Sequence, residues 1–377
     1  MSQPFKIISV VGARPQFIKL APFTRAIAHH NSTHPLQVIH QTIHTGQHYD
    51  AKMSDVFFDD LGIPYPEFNL AVGSGSHAEQ TGKMLIGIEK VLLEEKPDMV
   101  VIFGDTNSTA AAALAAVKLH IPLAHIEAGL RSFNRAMPEE INRIVSDHIS
   151  NILLAPTGTA MENLEREGLS KISVLTGDIM YDTVLHNRKI AEEKSTILAD
   201  MGLKPGEYAI ATLHRAENTS DATLLKGILD TLNQVADNRI PVVFPIHPRV
   251  FHLLPKILPD WKASPNLKIC DPVGYLEMLQ LVGNARLALT DSGGLQKEAF
   301  FLDCPCITLR TETEWVETVE GGGNIITGPE PEKIMNALDY WWEKTASGKL
   351  NFQDTVRKYF GGGDSGEIIL SAILPQS

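Results

Sequence analysis

The chain has 377 residues, 44% of them hydrophobic, and carries 33 basic against 45 acidic side chains, a formal net charge of −12. That length suits two domains with real cores, and the acidic balance argues against a nucleic-acid partner, whose phosphates need a basic face. Three clustered cysteines (Cys270, Cys304, Cys306) are too few for a disulfide framework and no apolar run approaches spanning length, so a soluble cytoplasmic protein without a membrane partner is expected.

Short apolar runs rich in β-branched residues alternate with amphipathic ones. In chain order the predicted strands are "KIISVVG", "QVIHQTIHTG", "DMVVIFGD", "LAHIEAG" and "NILLAP", then "YAIATLHR", "IPVVFPIHP", "LKICDP", "ARLALTDSG", "CITLR" and "NIIT". Continuous apolar runs suit parallel strands buried on both faces, and the helical stretches between them complete βαβ units. Nearly every strand ends on a polar cluster: "GARPQ", "TGQHYD", "GDTNST", "EAGLR", "HRAEN", "HPR", "DSGG", "RTETE". Ligands of open α/β sheets bind at the carboxyl ends of the strands. The expectation is therefore α/β, with two Rossmann-like doubly wound domains facing a cleft. Residues 1–172 form the first domain, 173–354 the second, and 355–377 a segment that crosses back to the first.

"DSGGLQKEA" (Asp291 to Ala299) is the clearest anion site. Ser292, Gly293 and Gly294 open a helix whose free N–H groups and dipole favour phosphate, and Glu298 lies within reach of a ribose. An ordinary Ser/Gly helix cap is the plain alternative. "GARPQFIK" offers Arg14 and Lys19 after the first strand, as phosphate ligands or as solvated cations of a capping turn. Asp105 in "GDTNST" is an N-cap or a functional carboxylate. "ATLHRAEN" ends a strand on His214 beside Arg215, and "IHPR" repeats the arrangement with His247. No spacing supports a metal site.

"HIEAGLRSFNRAMPEEINR" (His125 to Arg143) concentrates three glutamates and three arginines. Pro138 can begin a helix on which Glu139 and Arg143 are i, i+4 neighbours. One reading is a capped helix with an exposed ion pair. In the other, Glu127 and Glu139 meet Asp105 at the sheet edge, and crowding separates their pKa values into an acid and a base.

These clusters, in this order, resemble the non-hydrolysing UDP-N-acetylglucosamine 2-epimerases from the first strand to about residue 320. The resemblance implies a glycosyltransferase-B arrangement, a homodimer, and no metal or nicotinamide. It implies that Asp105, Glu127 and Glu139 are the catalytic carboxylates and His214 a catalytic or diphosphate-side residue. Arg14, Lys19, Arg143, His247, Ser292, Gly293, Gly294 and Glu298 would hold the nucleotide diphosphate, with Tyr275 at the uracil. The reaction implied is inversion of C2 of a UDP-2-acetamido sugar, by elimination of UDP to a 2-acetamidoglucal and re-addition. A glycosyltransferase of the same fold, a hydrolysing epimerase and a non-catalytic UDP-sugar sensor are the rival readings.

The chain departs from the family pattern in places. "GARPQ" replaces Gly-Thr-Arg-Pro-Glu, Trp315 stands where most members carry an arginine, and "GSGSHAEQT" lacks the Arg-Gln pair of activator-dependent members. "GARPQFIK", "RAMPEEINR" and "TETEWVE" together resemble the branch acting on UDP-2,3-diacetamido-2,3-dideoxy-glucuronate, whose carboxylate needs a further cation. Arg131, Arg135 and Arg310 are the candidates, against solvated surface arginines.

Overall fold

The structure, a computed structural model, describes residues 3–46, 58 and 61–375. The chain divides into two compact units, one comprising Met1–Thr183 with Tyr359–Ser377 and the other Val184–Lys358. Each unit is built on one sheet whose strands all pair in parallel.

The first sheet has seven strands: β1 (Phe5–Val11), β2 (Val38–His44), β3 (Phe68–Asn69), β4 (Met99–Phe103), β5 (Leu123–Ile126), β6 (Ile152–Ala155) and β7 (Ser173–Leu175). Their order is β3-β2-β1-β4-β5-β6-β7. The second has six: β8 (Ala209–Thr212), β9 (Val242–Pro245), β10 (Leu267–Cys270), β11 (Leu287–Thr290), β12 (Cys306–Thr308) and β13 (Asn324–Ile326), in the order β10-β9-β8-β11-β12-β13. In both sheets the chain winds outward one way and then returns to build on the other side of its first strand. The order therefore reverses between β1 and β4 and between β8 and β11, which leaves a crevice at each switch point.

The central strands are buried on both faces, β4 along its whole length, which is why they read as unbroken apolar runs. The helix Asn107–Lys118 after β4 is mostly alanine, with Ala110, Ala111, Ala112, Ala113, Ala115 and Ala116 all buried. Small side chains let it pack close to the helices His77–Glu95 and Pro138–Ile149.

All eleven strands read from the sequence occur. The short strands β3 and β7 were not expected, and β7 begins where the second domain was expected to start. It extends the first sheet, so the first unit runs past residue 172 to Thr183. The last helix, Ser365–Ile373, lies on the helix Arg14–Thr33: a Cβ on Gly366 would stand 2.9 Å from the Pro22 carbonyl oxygen. Gly366 N–H also donates to Asp182 Oδ2 at 2.8 Å.

Candidate active site

In the first unit the polar residues gather around the switch point between β1 and β4. The turn after β1 is tied to the end of β4 by Gln16. Its Oε1 accepts from Gly12 N–H (2.8 Å) and Ala13 N–H (3.1 Å), while its Nε2 donates to the Phe103 carbonyl at 2.8 Å. A glutamate could accept but not donate, so this departure from the family pattern has a structural role of its own. One turn further, Lys19 is buried and its Nζ lies 2.5 Å from Glu127 Oε1. Gly104, directly before Asp105, packs on this pair: a Cβ there would stand 3.1 Å from Lys19 Nζ and 3.4 Å from Glu127 Oε1. Asp105 itself is ion-paired with Arg143, reaching across from the helix Pro138–Ile149. Asp105, Glu127, Lys19 and Arg143 thus form one cluster at the carboxyl ends of β1, β4 and β5.

The adjacent glutamates of that helix separate by environment. Glu140 is buried and accepts from Ser132 N–H, Ser132 Oγ–H, Phe133 N–H and Arg143, at 2.9 to 3.1 Å. Burial pushes its carboxyl up, but these donors and the Arg143 charge outweigh it and leave the pKa lowered. Glu139 is half-buried and makes no ion pair among the described residues. The i, i+4 pair of Glu139 with Arg143 does not form, because Arg143 turns inward to Asp105 and Glu140.

Of the cations read as sugar contacts, Arg131 is corrected: it is buried and bonded to Asp147 and Glu167. Arg310 is likewise buried, with NH1 2.9 Å from Glu314 Oε2. Arg135 alone is exposed, in the turn before the Pro138 helix. Arg14 is half-buried at the start of its helix. "TGQHYD" runs into residues 47–50, outside the described residues.

In the second unit the switch point between β8 and β11 is organised by Asp291, which the sequence reading passed over. It is fully buried and accepts from His214 N–H (3.1 Å), Arg215 N–H (3.0 Å) and Asn218 Nδ2 (3.2 Å). Asp291 therefore fixes the turn that presents His214. Burial lowers the pKa of His214; Asp291 opposes that, while the charges of Arg215, Arg249 and Arg310 reinforce it. The ring of His247, the N-cap of the next strand's helix, lies 5.7 Å from that of His214.

Across the crevice, Ser292 caps the helix Gly293–Phe301, its Oγ accepting from Leu295 N–H at 3.4 Å. Gly293 and Gly294 form its first turn, and Glu298 lies buried within it. The bare backbone at Gly293 already has a neighbour: a Cβ would stand 2.3 Å from Glu314 Oε1. Trp315 is buried, with Lys297 Nζ 3.6 Å over its ring. Tyr275 is also buried, at 2% exposure.

Among the described residues no cluster of ligating side chains could hold a metal ion, and no helix is long and apolar enough to cross a membrane. The cysteines form no disulfide.

Residues 31–374 match the family model described as UDP-N-acetylglucosamine 2-epimerase. The chain is 49% identical to a UDP-N-acetylglucosamine 2-epimerase homolog of Methanococcus maripaludis, over 98% of this chain and 99% of that one. It is 45% identical to the UDP-2,3-diacetamido-2,3-dideoxy-D-glucuronate 2-epimerase of Pseudomonas aeruginosa, over 96% and 98%. Among solved structures, the UDP-GlcNAc 2-epimerase of Methanocaldococcus jannaschii in complex with UDP-GlcNAc and UDP matches with a TM-score of 0.86 at 45% identity. That match covers 97% of this chain and 99% of the other, and the two parallel-sheet α/β units share its glycosyltransferase-B-like fold.

Proposed function

Because the chain belongs to the UDP-N-acetylglucosamine 2-epimerase family, we propose that it inverts C2 of a UDP-2-acetamido sugar by eliminating and re-adding UDP. The observation that carries this reading is the cluster of Asp105 and Glu127 with Lys19 and Arg143 at the ends of β1, β4 and β5.

The C2 proton is not next to a carbonyl and is not acidic by itself. Stretching the C1–O bond builds oxocarbenium character at C1, which acidifies C2–H. A carboxylate of the first unit then takes the proton as UDP departs, leaving a 2-acetamidoglucal. Return of a proton to the opposite face of C2, with UDP rejoining C1, completes the inversion. Two faces require two proton-transfer groups, and Asp105, Glu127 and Glu139 supply the candidates. Lys19 and Arg143 hold the cluster together and set its charge. In the second unit the first turn of the Gly293–Phe301 helix, with His214 and His247, would stabilise the leaving diphosphate. Glu298 would meet the ribose.

The sugar is either UDP-N-acetylglucosamine or its 2,3-diacetamido-glucuronate counterpart; the relatives carry both names. With Arg131 and Arg310 committed to buried pairs, Arg135 is the cation left for a sugar carboxylate. A clear preference in kcat/KM for the diacetamido-uronate, lost in Arg135→Ala, supports that branch, whereas preference for UDP-N-acetylglucosamine with Arg135→Ala unchanged rejects it. A cytoplasmic homodimer completes this reading.

Incubation with each UDP-sugar in D2O, followed by proton NMR, tests the reaction. Epimerisation yields a second UDP-sugar carrying deuterium at C2. Free sugar, no change, or UDP released only with an acceptor would each overturn it in favour of a hydrolase, a sensor or a glycosyltransferase.

A further inference from the structure

His125 occupies the middle of β5, with no exposed surface. Its Nδ1 lies 2.7 Å from Asp147 Oδ1 and its Nε2 lies 2.7 Å from the Gly104 carbonyl oxygen. The Gly104 carbonyl can only accept, and Asp147, held as a carboxylate by Arg131 NH1 and Gly129 N–H on its other oxygen, accepts as well. A neutral imidazole has one N–H, so it would satisfy one contact and press a lone pair against oxygen at the other. Both contacts are made only by a ring protonated on both nitrogens.

The surroundings balance that charge. Asp147 is also fully buried, and its Oδ2 accepts from Gly129 N–H (3.1 Å) and Arg131 NH1 (2.7 Å). Burial pushes the Asp147 carboxyl up, yet the His125 hydrogen bond and the charges of His125 and Arg131 prevail and lower its pKa. Arg131 in turn donates from Nε and NH2 to Glu167, at 2.7 and 2.8 Å. Two cations and two carboxylates therefore form a compensated set.

The backbone groups held by this set are what give it a function. The Gly104 carbonyl immediately precedes Asp105, and Gly104 N–H is bonded to the Ile126 carbonyl at 3.0 Å. Gly129 closes the turn that begins at Glu127, which itself sits in the left-handed region at φ 69°. Asp147 lies on the helix that carries Glu139 and Arg143. One buried ring thus joins the three backbone segments that present the three carboxylates. We propose that His125, doubly protonated and seated on Asp147, is a positioning residue that fixes the relative placement of Asp105, Glu127 and Glu139. This rests on the proposed epimerisation and goes beyond it, since His125 touches none of the reacting atoms in that scheme.

Stability alone does not call for such a residue. A buried ionic network is often no more stabilising than an apolar replacement of the same volume, whereas misplacing a reacting group by about 1 Å can cost about 100-fold in rate. In His125→Gln one amide N–H can satisfy one acceptor, and the other contact is lost. The expected result is a kcat lowered about 10- to 100-fold with KM and UDP affinity within about 2-fold of the parent. Asp147→Asn removes the charge that seats the ring and should give the same pattern. A folded His125→Gln protein with parental kcat and a lower melting temperature would overturn the proposal in favour of a purely structural role.

An independent readout needs no turnover. In the intact protein with 15N-labelled histidine rings, assigned by the signal missing from His125→Gln, both His125 ring nitrogens should carry protons at neutral pH. A single protonated nitrogen would also overturn it. Failure of the underlying reading has a different signature: the parent protein would give no second UDP-sugar deuterated at C2, or Asp105→Asn and Glu127→Gln would keep full turnover, while His125 still showed two ring protons.

Discussion

Gly293→Ala separates two reasons for a bare backbone at the start of the Gly293–Phe301 helix. One is close approach of a diphosphate to the free N–H groups. The other is internal, because the new methyl carbon would lie 2.3 Å from Glu314 Oε1 and 3.5 Å from Trp315 Nε1. The second distance is an ordinary contact. The first is roughly an ångström too short for two non-bonded atoms, so Glu314 must withdraw. Its other oxygen is held by Arg310 at 2.9 Å, with the two side chains only 4% and 7% exposed. Overpacking a tight site costs about 1–3 kcal/mol, and complete loss of one partner of a buried pair about 3–5 kcal/mol. Gly293→Ala displaces the pair without removing it, so a loss of about 1–3 kcal/mol is expected, measured by urea unfolding. With Glu314→Ala already in place the methyl has room, and adding Gly293→Ala should cost within about 0.5 kcal/mol of nothing. UDP titration calorimetry on the same four proteins gives the ligand side. Parental stability in Gly293→Ala, with UDP weakened equally whether or not Glu314 is present, would refute the internal explanation and leave the ligand as the sole reason for the glycine.

Asp105→Asn, Glu127→Gln and Glu139→Gln should each lower turnover by about 100-fold or more with the fold intact; steady-state kinetics with circular dichroism checks this, and a variant with near-normal turnover demotes its residue to a structural role. Glu298→Ala should weaken UDP binding more than pyrophosphate binding, measured by calorimetry, and equal losses would contradict a ribose contact. Asp182 supplies a pH test. Burial, helped by the Asp178 charge and only partly offset by the hydrogen bonds from Gly366 and Ser365, raises its carboxyl from 3.8 to about 6. Between those values the folded protein keeps a proton that the unfolded chain has released, so stability falls as pH rises and the loss is complete above about 6. The shift corresponds to about 3 kcal/mol at most. Asp182→Asn should therefore stabilise the protein by about 1–3 kcal/mol at pH 7 and by nothing near pH 4, read from melts at both pH values; equal effects at the two would show that the charge is not the cause.

The alternation of apolar runs and polar strand ends was enough to place eleven parallel strands and to put Asp105, Glu127, His214 and Ser292 at carboxyl edges. That information is local. A strand buried on both faces must be apolar along its length, and a helix N-terminus must find a cap, whatever lies elsewhere in the chain. The short strands β3 and β7 escaped because two or three half-exposed residues leave no such pattern. The pairing of charges escaped for another reason. Helical spacing offered Glu139 to Arg143, yet the order β1-β4-β5 brings Asp105 beside the same helix, and Arg143 pairs there and with Glu140. Arg131 read as a sugar contact or a solvated cation because nothing nearby in sequence shows that Asp147 and Glu167 converge on it. His125 read as part of an apolar strand; only the neighbouring strand end at Gly104 and the helix bearing Asp147 reveal two acceptors on one ring. Burial leaves its mark on each residue as a periodicity, so the sequence by itself determined the elements and their exposed ends. A charge finds its partner through strand order and close packing, and that choice among several nearby opposite charges was made only by the tertiary structure.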